Sequence, residues 1–453
     1  MDIEPMRWAA DPGFPRQREA VEYLPALRAA QRDPAQIEEL YRQARREHQL
    51  ASFSAAVLTC YQEAPDNLLY GAWYYRLHTS TQDERPAPLW RIAVPLSLLT
   101  GLIFWALSNP QFMLNDDLPY LVLLWSPIAA ALTLGFLAWA TRQHIWRAAA
   151  LAGSILAVSA YVVLMGRRTG FAGQESYLEL MIPHLPLLAC SAIGVFLVGL
   201  RSQTHQRFAF LTKLIEVIGS GGVYAVGVVI FALITQGLFE ALGVELSEAV
   251  TRLLFVGGLG ALPLLAVATV YDPRRSPADQ DFRRGLGKTI AIVMWLLLPL
   301  TLIVLIAYLG LIPFHFLAPF RDRDVLIVYN VMLFAIMGLF VGATPITTDE
   351  LPVSQQRALR MVMLAVACLA VLVSLYAMAA LIFRTLEGGL TVNRVAMIGW
   401  NTLNLGVLGA LIGGQLRRGP VRWIESLQAV FGKATVWYAA WAALLAITIP
   451  WFF

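Results

Sequence analysis

The chain of 453 residues is 58% hydrophobic and only 14% charged, whereas soluble domains carry about 25% charged residues. This composition excludes an ordinary soluble protein. The net charge of +4 comes from basic residues scattered through short loops, which excludes a nucleic-acid-binding patch. The three cysteines, Cys60, Cys190 and Cys368, are too widely spaced for a disulfide framework or a metal motif. We expect no metal and no cofactor, because the common nucleotide-binding, hydrolase and zinc-protease motifs are missing as well.

The first 90 residues are polar, and the first long apolar run begins near residue 92. No signal peptide is expected, so the first span should act as its own insertion signal. Asp33 and Pro34 predict a helix start, since Asp33 can cap the helix and Pro34 fits its first turn. This helix should continue to a break at 64–67, and a second helix should follow. The apolar faces comprise Ile37, Tyr41, Ala44, Ala51, Ala55 and Leu58, and then Leu69, Tyr70, Trp73, Tyr74 and Leu77.

The two predicted helices form a hairpin with an aromatic seam. A small-residue helix, a turn containing Pro65 and an aromatic helix follow one another, and the hairpin resembles a single tetratricopeptide-type unit. The simpler interpretation is that the hairpin packs on itself and on the membrane part of the chain. The alternative is a docking surface for a protein partner, with Tyr70, Trp73 and Tyr74 as the candidate residues, because exposed aromatic patches mark interaction sites.

Eleven stretches of the chain contain no Asp, Glu, Lys or Arg for 19 residues or more. A helix of about 20 apolar residues crosses the hydrocarbon core of a bilayer, which is roughly 30 Å thick. The sequence therefore predicts an all-α, polytopic transmembrane bundle with eleven spans and a small helical head. The charge-free stretches are 92–115, 118–141, 148–166, 180–200, 217–239, 253–271, 289–320, 325–348, 361–383, 395–416 and 434–453.

The loops predict an orientation. We divide the chain into a head (1–90), membrane half one (91–271), a basic loop (272–288) and membrane half two (289–453). If each stretch crosses once, loops on one side carry 16 basic residues and loops on the other side carry 7. The positive-inside rule places the richer side, and the head with it, in the cytoplasm. We therefore expect a bacterial inner-membrane protein whose N-terminus is cytoplasmic and whose C-terminus, Phe453, is outside.

Two span boundaries have a less regular pattern. The stretch 289–320 is too short for two crossings, which need about 40 residues. We expect one span there, followed by an interfacial segment at Pro313–Phe316. At 208–216, Lys213 and Glu216 are expected to begin the fifth span on an amphipathic surface turn.

Uncharged polar residues occur within the predicted spans. We single out His184, Gln236, Asn330, Asn401 and Asn404 as candidate intramembrane polar residues. A lone histidine such as His184 is expected to form hydrogen bonds rather than to carry a proton. Asn401 and Asn404 are three residues apart and share one helix face. They act either as interhelical hydrogen-bonding groups or as the lining of a substrate cavity.

Glycine-rich segments mark the fifth and sixth spans, at Gly219–Gly222 and Gly257–Gly260. Interrupted spans of this kind form substrate sites in transporters, whereas glycines also allow close contact between helices. Close packing is the commoner explanation, and it applies equally to the small-residue spacing of Gly409 and Gly413.

Two segments of the second half carry a family resemblance. They are an L-P-L-rich span at Trp295–Leu309 and the segment Phe383–Arg394, which contains the pattern G-L-T-x-N-R. Together they resemble the bacterial membrane proteins of domain-of-unknown-function family 4153 over residues 289–416. Gly388 stands where that family usually has a bulky residue. The resemblance implies a multi-span bacterial membrane protein of uncharacterised activity, and it supplies no catalytic residues.

The G-L-T-x-N-R turn also has a physical interpretation. Gly389 can take a left-handed conformation at the end of one helix, and Thr391 can cap the next. Arg394 would then lie at the outer membrane face and pair with Glu387 or with a lipid phosphate. A structural turn is the simpler interpretation, and a ligand site is the alternative. The candidate functional or lipid-contact residues are Arg384, Gly389, Thr391, Asn393 and Arg394.

Three functions fit these patterns. The leading hypothesis is a non-enzymatic scaffold or accessory subunit of a membrane complex, because buried charge and catalytic motifs are missing and the head suits protein contacts. The alternative is a carrier or channel for a lipidic or weakly polar solute, which would use the glycine-interrupted spans with Asn401 and Asn404. The third is a lipid-modifying enzyme that uses Arg384, Asn393 and Arg394. The expected partners are membrane lipids and a protein bound through the head, and not nucleic acid.

Overall fold

A computed structural model of the protein describes residues 23–47, 49–82, 89–114, 118–168, 173–282, 286–346, 352–419 and 422–453. The chain divides into two compact units, Met1–Pro86, here called the head, and Ala87–Phe453, here called the membrane body. The Pro-rich residues 1–15, together with Arg283 and Arg284 of the basic loop, lie outside the described residues.

The described part of the head is helical. Asp33 caps its second helix as predicted, because the Asp33 side chain accepts hydrogen bonds from the backbone N–H groups of Ala35 and Gln36. Pro34 occupies the first turn, where its missing N–H costs nothing. The helices are α1 (Leu24–Ala29), α2 (Pro34–Arg46), α3 (Leu50–Glu63) and α4 (Leu68–Gln82).

The prediction of one continuous helix from Pro34 to the turn at 64–67 is wrong, because the chain breaks between α2 and α3. Tyr41 of α2 and Phe53 of α3 would lie about 18 Å apart along one straight helix. After the break their ring centroids are 5.9 Å apart, and Phe53 also packs against Trp73 of α4. The break therefore allows a small aromatic core to close, which one straight helix could not form.

The membrane body confirms the predicted all-α, polytopic architecture. Among the described residues, eleven helices are long and apolar enough to cross a membrane. The first six are α5 (Trp90–Leu107), α6 (Tyr120–Thr141), α7 (Ile145–Met165), α8 (Gln174–Val198), α9 (Thr204–Ala241), and α10 (Glu248–Arg252) joined to α11 (Gly258–Val270) by a π-helical turn at Leu253–Gly257. After α12 (Leu286–Leu311) and the short helix α13 (Ala318–Arg321) come α14 (Arg323–Ala343), α15 (Val353–Gly388), α16 (Val392–Arg418) and α17 (Trp423–Phe452).

Short irregular segments join some of these helices. Between α5 and α6, the strands β1 (Met113–Leu114) and β2 (Leu118–Pro119) pair antiparallel. After α12 the chain makes a 3₁₀ turn at Ile312–Phe314 before α13. The stretch 289–320 therefore forms one span and a short connecting segment, in agreement with the prediction.

Helix α9 is much longer than a single span requires. Its 38 residues extend about 57 Å, against a hydrocarbon core of roughly 30 Å. The helix begins at Thr204 and includes residues 208–216, as expected for the start of the fifth span, but the predicted surface position of Lys213 and Glu216 is wrong. The side chains of Lys213 and Glu216 lie within the helix and are only 3% and 8% exposed.

The three larger apolar cores of the described membrane body each join several helices. One contains residues of α9, α12 and α14 to α17, another contains residues of α6 to α8, α16 and α17, and the third contains residues of α5 to α8 and α11. Glycines allow the closest contacts between helices. A Cβ atom added at Gly101 would lie 2.5 Å from the carbonyl oxygen of Gly257, and one added at Gly258 would lie 2.7 Å from Val228. These glycines of the sixth span therefore serve close packing rather than a substrate site.

Candidate functional site

A groove lies between α8, α9, α14 and α17 in the membrane body. Its volume is about 350 Å³, which falls in the range of small-molecule sites. Among the described residues that line the groove, Arg207 is the one that carries a charge. The groove is therefore a mostly apolar site with a single lining cation.

The walls of the groove are apolar because the helices turn apolar faces toward it. Phe210, Leu211, Leu214 and Ile218 of α9 line one wall, and their spacings of one, three and four residues place them on one helix face. Opposite them, small residues leave space. A Cβ atom added at Gly338 of α14 would meet no atom within 4 Å.

Arg207 lines one end of the groove, and Arg147 contacts the lining residue Val195 at the same end. The guanidinium group of Arg207 donates hydrogen bonds to Ser202 Oγ at 2.9 Å and to the carbonyl oxygen of Leu200 at 2.7 Å. Arg147, in the first turn of α7, donates to the carbonyl oxygen of Val195, which also lines the groove. These acceptors are uncharged, so they hold the guanidinium groups in place without neutralising them.

At the opposite end of the groove, the described lining residues are uncharged and include two aromatic side chains. Tyr438 and Phe334 line this end, and their ring centroids are 6.2 Å apart. Trp400 contacts both rings and donates from Nε1 to Nε2 of His184 at 2.9 Å. Because Nε2 accepts, we assign the proton of the neutral imidazole to Nδ1, which donates to the carbonyl oxygen of Leu180. His184 thus forms hydrogen bonds through both nitrogens, in agreement with the prediction.

Asn401 and Asn404 form hydrogen bonds between helices. The Tyr438 hydroxyl donates to Asn404 Oδ1, so Asn404 lies directly behind a residue that lines the groove. Asn401 accepts from the hydroxyl of Ser374 and donates to the Ser374 carbonyl oxygen at 3.2 Å. Both asparagines are buried, and neither lines the groove. The geometry supports the hydrogen-bonding interpretation over the cavity interpretation.

The remaining intramembrane candidates lie apart from this cluster. Gln236 is exposed on α9, and Asn330 donates to the carbonyl oxygen of Leu326 one turn earlier in α14. The structure thus brings His184 and Asn404 to the aromatic end of the groove and leaves Gln236 and Asn330 outside it. His184 and Asn404 are far apart in the chain, so the sequence did not indicate that they would lie at the same end of the groove.

The G-L-T-x-N-R turn agrees with the prediction in part. Thr391 caps α16 by accepting a hydrogen bond from the backbone N–H of Arg394. Gly389 has φ +76° and ψ 175°, which is accessible to glycine but is not the left-handed helical conformation expected. The Arg394 guanidinium donates to the Gly389 carbonyl oxygen, and the described residues show no ion pair with Glu387. A Cβ atom at Gly388 would lie 2.9 Å from this guanidinium, so the glycine leaves the space that Arg394 fills.

The two further candidates of this region, Arg384 and Asn393, are not arranged as a ligand site would be. Arg384 and Asn393 are both half-buried. Nη1 of Arg384 is buried, and no hydrogen-bond partner for it occurs in the described part of the chain. The turn as a whole therefore has the geometry of a capped helix junction.

The candidate docking residues of the head lie mostly in its core. Tyr70 and Trp73 are 4% and 5% exposed, and the Tyr70 hydroxyl donates to the Leu27 carbonyl oxygen at 2.8 Å. Burial raises the pKa of Tyr70 to about 12, so this hydroxyl stays protonated at neutral pH. Tyr74 stacks on Tyr61 and is half-buried. Tyr70 and Trp73 therefore pack inside the head, in agreement with the simpler interpretation, and they do not form the exposed patch of the alternative.

Sequence reasoning missed a buried ion pair in α9. Lys213 Nζ lies 2.6 Å from Glu216 Oε2. It also donates to the carbonyl oxygen of Asp281 and lies 4.6 Å from the ring centroid of Phe282. A Cβ atom at Gly287 would lie 2.9 Å from the carboxylate, so the glycine makes room for it. The three-residue spacing placed both charges on one helix face, but that spacing fits a solvated helix equally well.

The ion pair and the groove share a wall. A cavity of about 40 Å³ adjoins Glu216, which is large enough for a water molecule. Ile215 lines both this cavity and the groove. One face of α9 therefore forms the groove while another face carries the buried charges.

Comparison with known proteins adds no relative. No family model, no curated protein and no solved structure matches the chain. The resemblances to family 4153 and to a tetratricopeptide-type hairpin stay expectations from the sequence.

Proposed function

We propose that this protein binds a membrane lipid in the groove between α8, α9, α14 and α17. This is the lipidic-solute function considered from the sequence, now placed at a different site. One observation carries it: an apolar groove of about 350 Å³ has Arg207 at one end and uncharged aromatic residues at the other. An acyl chain with a polar head has the same distribution of polarity.

The physics of the bilayer determines how such a groove selects its ligand. Lipid tails are as apolar as the groove walls, so an acyl chain gains little by leaving the bilayer for the groove. Selection then depends on shape along the apolar walls and on polar contacts at the arginine end. A small polar solute would need several convergent hydrogen-bonding groups, whereas most residues that line this groove are apolar.

The other functions have less support from the described residues. A carrier site at the sixth-span glycines or at Asn401 is disfavoured, because those residues are closely packed. A lipid-modifying enzyme that uses Arg394 is disfavoured by the bond from this side chain to Gly389. A scaffold is the second candidate. It is favoured by Gly409 and Gly413 of α16, where an added Cβ atom would meet nothing within 4 Å.

We infer the orientation from the loop charges. The loops next to the arginine end belong to the set with 16 basic residues, and the positive-inside rule places that set in the cytoplasm of a bacterial cell. The groove would then accept lipid from the cytoplasmic leaflet of the inner membrane. The head would be cytoplasmic, and Phe453 would be outside.

The groove can be tested by filling it. In Gly338→Phe the new ring would occupy open space inside the groove. We expect lipid that co-purifies with the full-length protein in mild detergent to fall by about tenfold, which corresponds to roughly 1.4 kcal/mol of binding free energy. Native mass spectrometry and lipid extraction measure the amount bound.

Gly227→Phe is the matched control. Gly227 also lies within a helix, it is exposed on α9, and an added Cβ atom there meets nothing within 4 Å. This variant should retain lipid as the unmodified protein does. Equal lipid content in the two variants would contradict the proposal. Protein that is free of lipid and co-purifies with one stoichiometric partner chain would favour the scaffold role.

A further inference from the structure

We propose that the lipid in the groove carries a phosphate headgroup with a net negative charge, bound by Arg207 and Arg147. This inference rests on the proposed lipid-binding function and names the chemical class of the ligand. It follows from the number of positive charges at one end of the groove, from how they are held, and from the absence of charge at the other end.

The two guanidinium groups are fixed in position but are not saturated. An arginine side chain has five N–H donors. Arg207 uses donors for Ser202 and Leu200, and Arg147 uses one for Val195. Guanidinium N–H groups match the geometry of phosphate oxygens, and charge-assisted hydrogen bonds of this kind are among the strongest in proteins.

The positive charge at this end has no protein counter-charge in the described part of the chain. Arg207 and Arg147 have no ion-pair partner there, and no described carboxylate lines the groove. Arg201, in the same turn between α8 and α9, is exposed and adds a third positive charge nearby. Basic pockets between transmembrane helices on the cytoplasmic side attract anionic lipid headgroups.

The uncharged end sets the direction of the ligand. Tyr438 and Phe334 line that end, and the Tyr438 hydroxyl is already committed to Asn404. A charged headgroup would be buried there without a cationic partner, which is costly. The lipid must therefore enter with its headgroup at Arg207 and its acyl chain toward Tyr438.

The test compares two lipids that have the same acyl chains and the same phosphate but differ in headgroup alcohol and in net charge. Full-length protein stripped of lipid is titrated with dioleoyl-phosphatidylglycerol, which is anionic, or dioleoyl-phosphatidylcholine, which carries the same phosphate and chains without net charge. We expect a preference of about tenfold for phosphatidylglycerol, or roughly 1.4 kcal/mol, because the choline cation of phosphatidylcholine offsets the phosphate charge and is repelled by the arginines. Arg207→Gln should weaken the binding of both lipids, since both carry the phosphate, and should bring the ratio closer to one.

Arg417→Gln is the matched control, because Arg417 is an exposed arginine at the end of α16 and lies outside the groove. It should preserve the preference. Equal affinity for both lipids in the unmodified protein, or an unchanged ratio in both Arg207→Gln and Arg147→Gln, would overturn the headgroup assignment. Oleate that competes better than phosphatidylglycerol would also overturn it, because the site would then prefer a carboxylate.

The same titration in Gly338→Phe separates the two proposals. If the groove holds the acyl chain, this variant should lose both lipids, whatever their charge. If phosphatidylglycerol binds Gly338→Phe as tightly as it binds the unmodified protein, the arginines recognise the headgroup without the groove. The proposed acyl-chain site would then fail, and the headgroup assignment would stand.

Discussion

Asn401 forms two hydrogen bonds with Ser374 across the contact between α15 and α16. In the interior of a membrane protein, no bulk water can replace a lost partner, so an unmade bond leaves a buried polar group unsatisfied. Measured contributions of such interhelical hydrogen bonds are modest, about 0.6 to 2 kcal/mol. The pair should therefore stabilise the fold without any direct effect on the groove.

This gives a prediction at the residue scale. Asn401→Leu should lower the stability of the protein by about 1 kcal/mol, measured as a lower midpoint of thermal unfolding in detergent. Lipid content should not change, because Asn401 does not line the groove. Thr402→Leu, at the exposed neighbouring position, should leave the midpoint unchanged. A loss of lipid in Asn401→Leu at normal stability would show that Asn401 belongs to the site after all.

Single residues also show what the sequence could predict at this scale. The caps of Asp33 and Thr391 are confirmed, because capping depends on a few neighbouring residues. The sequence left the burial of Tyr70 and Trp73 open between two interpretations. An aromatic face looks the same in the sequence whether it meets solvent or another helix, and the contacts of α4 with α1, α2 and α3 bury these rings.

At the scale of the element, α9 combines two surfaces. Its apolar face forms a wall of the groove, and its polar face places Lys213 and Glu216 one turn apart. Burial of either charge alone would be costly, and pairing compensates because each side chain neutralises the other. The Asp281 carbonyl and the Phe282 ring complete the surroundings of the Lys213 ammonium group, and they tie α9 to the loop between the membrane halves.

The Lys213–Glu216 pair predicts that a single substitution destabilises the protein more than the double substitution does. Lys213→Met or Glu216→Met alone should destabilise the protein by about 3 kcal/mol, because each leaves an uncompensated buried charge. The double variant should recover part of this loss, since an apolar pair removes both charges. Unfolding in increasing concentrations of denaturing detergent measures the three differences.

Arg275→Met is the control for this experiment. Arg275 faces Asp272 at the same three-residue spacing, but the Arg275 side chain is 39% exposed, and exposed pairs contribute little. The stability of the Arg275→Met variant should stay close to that of the unmodified protein. If the loss of stability in the double variant equalled the sum of the losses in the two single variants, Lys213 and Glu216 would not compensate for each other's charge.

At the scale of the whole molecule, the number of spans decides where the ends lie. The described helices include eleven that are long and apolar enough to cross a membrane, and an odd number of crossings puts the two ends on opposite sides. We expect a reporter fused after Phe453 to be active outside the cell, and one inserted after Ala278 to be active in the cytoplasm, because basic loops stay inside. Activity of both reporters on the same side would contradict this topology.

The span count and the membrane environment were determined by the sequence itself. The cost of placing a charge in hydrocarbon applies to each residue separately, so a run of about 20 uncharged residues is informative without any partner. The tertiary structure alone decided three features: the groove, the burial of Lys213 with Glu216, and the grouping of His184 and Asn404 around Trp400 and Tyr438. Each depends on which helix faces meet, and residues far apart in the chain carry no local signal of that contact. Charged residues in the loops mark the ends of the spans. In α9, however, Lys213 is buried, because Glu216 one turn away neutralises its charge.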